Sequence, residues 1–242
     1  MQKTQDFLKR EPLLYADVAE GVKWGSVSVL YQSETALLAV NTAGHYLLCS
    51  TDYKGAGTAL TALPADFKRI LLIAHGNAAR EAAVTHLNVK RETKCHQCVY
   101  LGGRLPLRGD LDFLPPDRNS VDLMKSVYAL ETPEKIEQMA AEGKILTAYK
   151  REKQETAARG AFVGFIGSHD DGSMGMLHVF DAHRRHGYAE EIESAQINRW
   201  LEAGKLPYGH VIDGNEASYR LQEKLGMRFA DEWVTWIFAE SE

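Results

Sequence analysis

The stretch Leu177-His178-Val179-Phe180-Asp181-Ala182-His183-Arg184-Arg185-His186-Gly187-Tyr188-Ala189 changes character twice in a short span. It begins as an apolar strand, turns basic, and opens a helix that the pattern carries from about Gly187 to Ala203, where Gly204 stops it. The first N–H groups of a helix have no partner within it and form the positive end of its dipole. An anion docks there readily. Gly187 permits close backbone approach, Ala189 keeps the turn narrow, and Arg184 and Arg185 add charge. The window therefore reads as an anion cradle, with a capped helix and solvated arginines as its plainer alternative.

Working back from the cradle, Lys144 to Lys150, Gly160 to Ile166 and Met174 to Phe180 read as strands, and Asp170-Asp171-Gly172-Ser173 as the turn between the last two. Thr132-Pro133-Glu134 starts a helix that Gly143 stops, and Asn119 or Ser120 caps another through Tyr128. Leu111 to Leu114 is a short strand. Working forward, Tyr208 to Ile212 is a strand, Glu216 to Leu225 a helix stopped by Gly226, and Trp233 to Ala239 a final strand. The N-terminal portion is mixed. It has an amphipathic helix ending near Pro12, strands at Val27 to Tyr31, Thr35 to Val40, His45 to Ser50, Ile70 to Ala74 and Cys98 to Leu101, and a helix over Ala78 to Leu87. Lys54-Gly55-Ala56-Gly57-Thr58-Ala59-Leu60 mimics a second cradle but reads as a flexible turn, since Leu63-Pro64 interrupts any helix there. No repeat period is detectable. A boundary falls around Gly102 to Gly109, dividing the chain into residues 1–106 and 107–242.

Two blocks in register carry a family resemblance. Arg184, Gly187 and Ala189 match in spacing the pattern Arg/Gln-x-x-Gly-x-Gly/Ala that follows a Leu-x-Val strand. Residues Asn215 to Phe229 are similar to an Asn-x-x-Ser/Ala…Leu-x-x-Lys-Leu-Gly-Phe helix. Together they resemble the GNAT superfamily of N-acyltransferases over roughly residues 107–242. Gly172-Ser173-Met174-Gly175 and Gly204-Lys205-Leu206-Pro207-Tyr208 look like the branch that includes the glycine N-acyltransferases. The resemblance implies an α/β (α+β) fold with a mixed, mostly antiparallel sheet flanked by helices. It also implies an extra N-terminal α/β half that is sometimes a degenerate GNAT-like unit.

The resemblance implies an acyl-CoA co-substrate, most simply acetyl-CoA, whose diphosphate meets Arg184, Arg185, His186, Gly187, Tyr188 and Ala189. Its pantetheine arm would lie between the strand of Leu177 and Val179 and that of Tyr208 to Ile212. A strand N–H would polarise the thioester carbonyl. An amine would attack directly, so Cys49, Cys95 and Cys98 need no role. His178 is the candidate general base, and a satisfied strand histidine is its plainer reading; Glu216 and His210 are weaker alternatives. Asn215 either approaches the cofactor arm or caps its helix, and Ser218 falls near the same face. Where many relatives carry a tyrosine acid, one position after Leu221, this chain has Gln222. Asp181 stands where a proline is common.

Composition narrows the rest. The 242 residues are 45% hydrophobic and 25% charged with a net charge of −5, which does not suit a nucleic-acid coat. Mean hydropathy is −0.31 and no apolar run approaches the ~20 residues of a membrane span. Three cysteines are not a disulfide framework, and the N-terminus lacks an apolar leader core, so a cytoplasmic protein is expected. Cys95-His96-Gln97-Cys98 lacks a second ligand pair and is assigned no metal. The expected partner is a small-molecule amine, with no nucleic acid and no membrane, and a homodimer is left open. The expectation is an acyl-CoA-dependent N-acyltransferase; a non-catalytic acyl-CoA-binding module is the alternative.

Overall fold

Two helices, α1 (Gln2–Leu8) and α2 (Ala16–Trp24), precede the strands β1 (Val27–Gln32), β2 (Ala36–Asn41) and β3 (Tyr46–Ser50). Then come α3 (Tyr53–Leu60), β4 (Arg69–His75), α4 (Asn77–His86) and a long β5 (Asn88–Val99). After an irregular segment the chain continues through β6 (Leu111–Leu114), α5 (Arg118–Val127), α6 (Pro133–Ala141), β7 (Ile145–Lys150), β8 (Phe162–Ser168) and β9 (Met174–Val179). It closes with α7 (Tyr188–Glu202), β10 (Tyr208–Ile212), α8 (Glu216–Leu225), β11 (Arg228–Phe229) and β12 (Val234–Glu240). The computed structural model describes residues 2–152 and 160–241. The start of the strand expected at Gly160 falls at Phe162. Among the described residues no helix is long and apolar enough to cross a membrane.

All strands join one sheet in the order β1-β2-β3-β4-β12-β5-β10-β9-β8-β7-β6, with β11 also on β5. Among the described residues only β3–β4 and β9–β10 pair in parallel. The succession helix, helix, three strands, helix, strand, helix, strand occurs twice. It runs from α1 to β5, and again from α5 through β7, β8, β9, α7, β10 and α8 to the closing strands. The repetition lies in the order of elements and not in the residues. The last long strand of each half pairs with the other half: β5 lies antiparallel to β10 and β12 antiparallel to β4.

Side-chain alternation assigns the layers. Ile145 and Phe165 pack with Met124, Ile136 and Met139 of α5 and α6. Their neighbours Leu146 and Ile166 pack with Ile192 of α7. Helices α5 and α6 therefore cover one face of the second half and α7 the other. Helix α8 joins α7 over β5 and β10 through Leu225, Ile197, Trp200, Cys98 and Val211.

Several expectations are corrected. Lys54 to Leu60 is helix α3, not a flexible turn: Asp52 caps it, accepting from Gly55 N at 2.7 Å, and Ala56, Ala59 and Leu60 are buried. Pro64 lies beyond its end. Helix α2 gave no sequence signal because its buried stripe includes Asp17, Glu20 and Gly21. Strand β5 starts ten residues before Cys98, its outer part hidden in sequence by Lys90, Arg91, Glu92 and Lys94. The cap of α5 is Asp117, in a reciprocal capping box with Ser120, and not Asn119 or Ser120 itself. The last strand begins at Val234, and the short β11 was not anticipated.

One buried polar contact ties the first half together. The Nε2 atom of His75 on β4 stands 2.8 Å from an Asp17 carboxylate oxygen on α2, and both side chains are essentially inaccessible. Burial opposes both charges, but each holds the other: Asp17 titrates below its ordinary value and His75 well above.

Candidate functional site

Strand β9 leaves the sheet into a 3-10 turn at Asp181–His183, and the chain then enters α7 by two left-handed residues, Arg185 (φ 64°) and Gly187 (φ 81°). Left-handed backbone costs a non-glycine residue ~1–2 kcal/mol, so Arg185 marks stored strain at this turn. Gly187 is the N-cap of α7 and offers no side chain to its amides. Among the described residues, the N–H groups of Gly187, Tyr188, Ala189 and Glu190 meet no protein acceptor. They open onto a groove lined by Val179, His183, Arg184, Arg185, Gly187, Tyr188, Ala189, Glu190, Leu221 and Lys224.

The turn is braced from behind. Arg108 Nη1 donates to the His186 carbonyl at 2.5 Å, and a carboxylate oxygen of Glu191 accepts from Gly109 N and Asp110 N at 2.9 and 3.2 Å. Arg184 bonds Asp181 at 2.8 Å and donates from Nε to the Val179 carbonyl. Arg185 is exposed and forms no ion pair among the described residues. Lys224 pairs with Glu190 at 2.6 Å, and both residues line the groove. Free amides, a helix dipole and three cationic side chains, two of them paired to Asp181 and Glu190, give this end of the groove the chemistry that suits an anion.

Beside the groove the sheet is split. β10 pairs with β9 at a single position, Gly209 opposite Met174, and the two parallel strands then diverge. The corresponding pair in the first half, β3–β4, stays paired over four positions from Tyr46–Leu72 to Cys49–His75. β9 also bulges against β8, between the pairs His178–Phe165 and Gly175–Gly167. Met176 takes φ 57° at that point, strain that a strand carries only where the surrounding packing imposes it. The bulge resets the alternation: Leu177 and Val179 turn to the α7 face, and His178 to the α5–α6 face.

His178 is half-buried. Its ring stacks on Phe165 (5.5 Å) and meets the edge of Phe180 (5.3 Å), and its nitrogens make no hydrogen bond among the described residues. Burial first, then the Arg184 charge, lowers its pKa below the ordinary imidazole value. The ring is therefore neutral at pH 7, with both nitrogens available.

The residues singled out from sequence fall into two groups. Val179, Arg184, Arg185, Gly187, Tyr188 and Ala189 line the groove together. Leu177 packs inward with Ile192, and His186 stacks on Tyr188 while its Nδ1 bonds the Arg184 carbonyl. Asn215 caps α8, accepting from Ser218 N at 3.2 Å, and neither residue lines the groove. Of the weaker base candidates, Glu216 is exposed at the head of α8. His210 is committed, its Nε2 at 2.7 Å from Gln97 and its Nδ1 accepting from Trp236. His183, whose place in the turn already suggested contact with phosphate, lines the groove as well, and Glu190, Leu221 and Lys224 line it without having been foreseen. Leu221 and Lys224 share a helical face three residues apart, which was the available signal. Cys95 and Cys98 are buried within β5, and burial pushes the Cys95 thiol up to about 12.

Comparison with known proteins adds to this geometry. The family model described as FR47-like protein matches residues 155–237. No curated protein matches the chain. Among solved structures, a Drosophila protein superposes with a TM-score of 0.67 at 14% identity, over 97% of this chain and 94% of that one. A protein from Novosphingobium aromaticivorans, provisionally described as a GNAT-family acetyltransferase, gives 0.56 at 14% identity over 96% and 98%. A GCN5-related N-acetyltransferase from Kribbella flavida gives 0.55 at 9% identity over 95% and 96%. At these identities the likeness is one of fold: the chain has the GNAT fold along nearly its whole length.

Proposed function

We propose that this chain, a GNAT-fold protein, is an acyl-CoA-dependent N-acyltransferase that moves an acyl group, most simply acetyl, to a primary amine of a small molecule or amino acid. The observation that carries this reading is the set of unpartnered amides at the head of α7, standing beside a parallel strand pair that opens after one contact. A diphosphate suits the first feature and a pantetheine arm the second. The arm's amides would replace the sheet partners that β9 and β10 lack past Met174 and Gly209. Arg184, Arg185 and Lys224 would neutralise the diphosphate, and Gly187 would let it approach the backbone.

The amine attacks the thioester carbon, the carbonyl electrons move to oxygen, and the tetrahedral species collapses with loss of the CoA thiolate. The bulged β9 backbone near Met176 is the candidate donor to the oxyanion. His178 is proposed as the base: it lies on the strand bordering the wedge, neutral, with free nitrogens, and takes the amine's proton directly or through one water. Phe180 at the edge of its ring, backed by Phe162, favours an acceptor with an apolar body. The matching turns at Gly172 to Gly175 and Gly204 to Tyr208 favour the glycine N-acyltransferase-like branch. The first half is proposed as a degenerate copy without a site, because β3–β4 remains zipped and the Asp52 carboxylate already occupies the head of α3.

The test is CoA release from acetyl-CoA over a panel of amines. His178→Ala should lower turnover by ~10²- to 10⁴-fold, the usual worth of a positioned base, and leave CoA-induced thermal stabilisation unchanged. With His178 titrating below its ordinary value, the acid limb of the wild-type pH–rate profile should also lie below that value. Binding without turnover on any amine would make the protein a non-catalytic acyl-CoA module, and full activity in the variant would remove His178 from the mechanism.

A further inference from the structure

Glu193 is an acidic side chain on the buried face of α7, 4% exposed, with no lysine, arginine or histidine paired to it among the described residues. One of its oxygens accepts from the Gln222 amide of α8 at 2.9 Å. The other oxygen, Oε2, is buried and has no partner, and neither has the Gln222 carbonyl oxygen. Two buried acceptors without a donor, on side chains already joined by one hydrogen bond, form an expensive arrangement. A single proton removes both deficits. Placed on Glu193 Oε2 it is a donor, and the carboxyl and the carboxamide can then close a ring of two hydrogen bonds.

The location of this pair is specific. Gln222 follows Leu221, which lines the groove. Gly209, the vertex of the wedge, lies opposite Cys98 in the β5–β10 ladder, and the Cys98 thiol donates to its carbonyl. An ionised Glu193 would reach that thiol and push its pKa further up. The pair therefore lies within electrostatic reach of the Cys98 thiol at the closed end of the split between β9 and β10. The titratable group within its electrostatic reach is Cys98 on β5. On α7 itself Glu190 is turned to Lys224. None supplies a positive charge that would hold Glu193 ionised.

We infer that Glu193 is kept as a neutral carboxylic acid closed onto Gln222, and that it gives its proton to the thiolate that departs from the thioester. This inference rests on the acyl transfer proposed above. When the C–S bond breaks, its electron pair passes to sulfur. The proton on Glu193 Oε2 moves to that sulfur, and the amine's proton leaves by His178. The products are the amide and the free thiol, and solvent returns a proton to Glu193 after they depart. Burial pushes the Glu193 carboxyl up to about 7, against an ordinary thiol near ~8.5, so the transfer runs downhill to sulfur. The acid stands where Gln222 itself has no proton to give.

The test uses the isosteric variant Glu193→Gln and two readouts. Infrared difference spectra of the wild type should show the carbonyl band of a protonated carboxyl that disappears as pH rises through about 7, and the variant should lack it. A folded-state pKa above the ordinary 4.5 means that the native state binds the extra proton between those values. Wild-type stability should then fall as pH rises across that window, and the variant should melt higher than the wild type at pH 8 but not at pH 4. With acetyl-CoA and an accepted amine, kcat of the wild type should fall as pH rises through 7, whereas kcat of the variant should be at least ~10-fold lower and flat there, with CoA-induced stabilisation equal in both. Absence of the titrating band overturns the neutral acid; its presence with an unchanged pH profile in the variant overturns the proton transfer. If the wild type shows the band but no response to CoA, the acyl transfer itself fails, and the proton donor with it, while the neutral acid stands.

Discussion

Gly187→Val should abolish measurable stabilisation by coenzyme A while leaving the protein folded. The residue sits at φ 81°, and a β-branched side chain in the left-handed region costs ~1–2 kcal/mol or more. Its side chain would also project against the Arg108 guanidinium that braces the turn through the His186 carbonyl. The turn escapes both by rotating, and rotation re-aims the amides of residues 187–190, which must converge on one anion. Strain and lost hydrogen bonds act on the same complex, so CoA affinity should fall by at least ~30-fold, read as loss of the thermal shift at ligand concentrations that stabilise the wild type. The site is on the surface and the core beneath α7 is unaffected, so melting without ligand should change by only a few degrees. A variant that binds CoA like the wild type would remove this turn from recognition.

The largest loss of stability should come from the opposite half. Asp17→Ala leaves His75 buried at the centre of the first half with no counter-charge. Breaking one partner of a buried pair costs ~3–5 kcal/mol, since the remaining charge must be held unpaired or discharged. For a chain of this size that is a fall in Tm on the order of 10 °C. The pair also predicts two edges in the pH dependence. Asp17 titrates below its ordinary value, so its contribution is present above that value and is lost as pH falls through the lowered one. His75 titrates above its ordinary value, so its contribution is complete below 6.5 and is lost as pH rises through the raised one. In Asp17→Ala both edges should vanish from the stability profile. A variant that melts within two degrees of the wild type would mean that the pair is not ionised.

The uneven legibility of the sequence has physical reasons. The second half could be read because its signals are local: Pro133 at a helix start, Gly226 at a helix end, and a strand, basic turn and glycine in immediate succession. Helix α2 could not, because its buried face carries Asp17, whose partner His75 lies 58 residues away. Helix α3 was hidden by two glycines that suit tight packing against Thr35 and His86 rather than a flexible turn. Strand β5 was cut short because half of it is polar, although both its edges are paired, to β12 and β10. In the site, the amides and the glycine were legible, since they are backbone properties of one turn. Lys224 and Leu221 come from another helix, and the Glu193–Gln222 pair depends on how α7 and α8 dock. Gln222 was noted as a missing acid; the group that replaces it lies 29 residues earlier in the chain. The equivalence of the two halves was suggested by the family resemblance alone, because it resides in topology and leaves no periodic residue pattern.

Amide hydrogen exchange over residues 185–190, with and without coenzyme A, addresses the anion cradle at its own atoms. Without ligand these N–H groups lack acceptors and should exchange rapidly beside the slow interior of α7. Coenzyme A at saturation should slow them by more than ~10-fold and leave the head of α3, already capped by Asp52, unchanged. Exchange in the α7 turn that stays fast at millimolar coenzyme A would contradict the account.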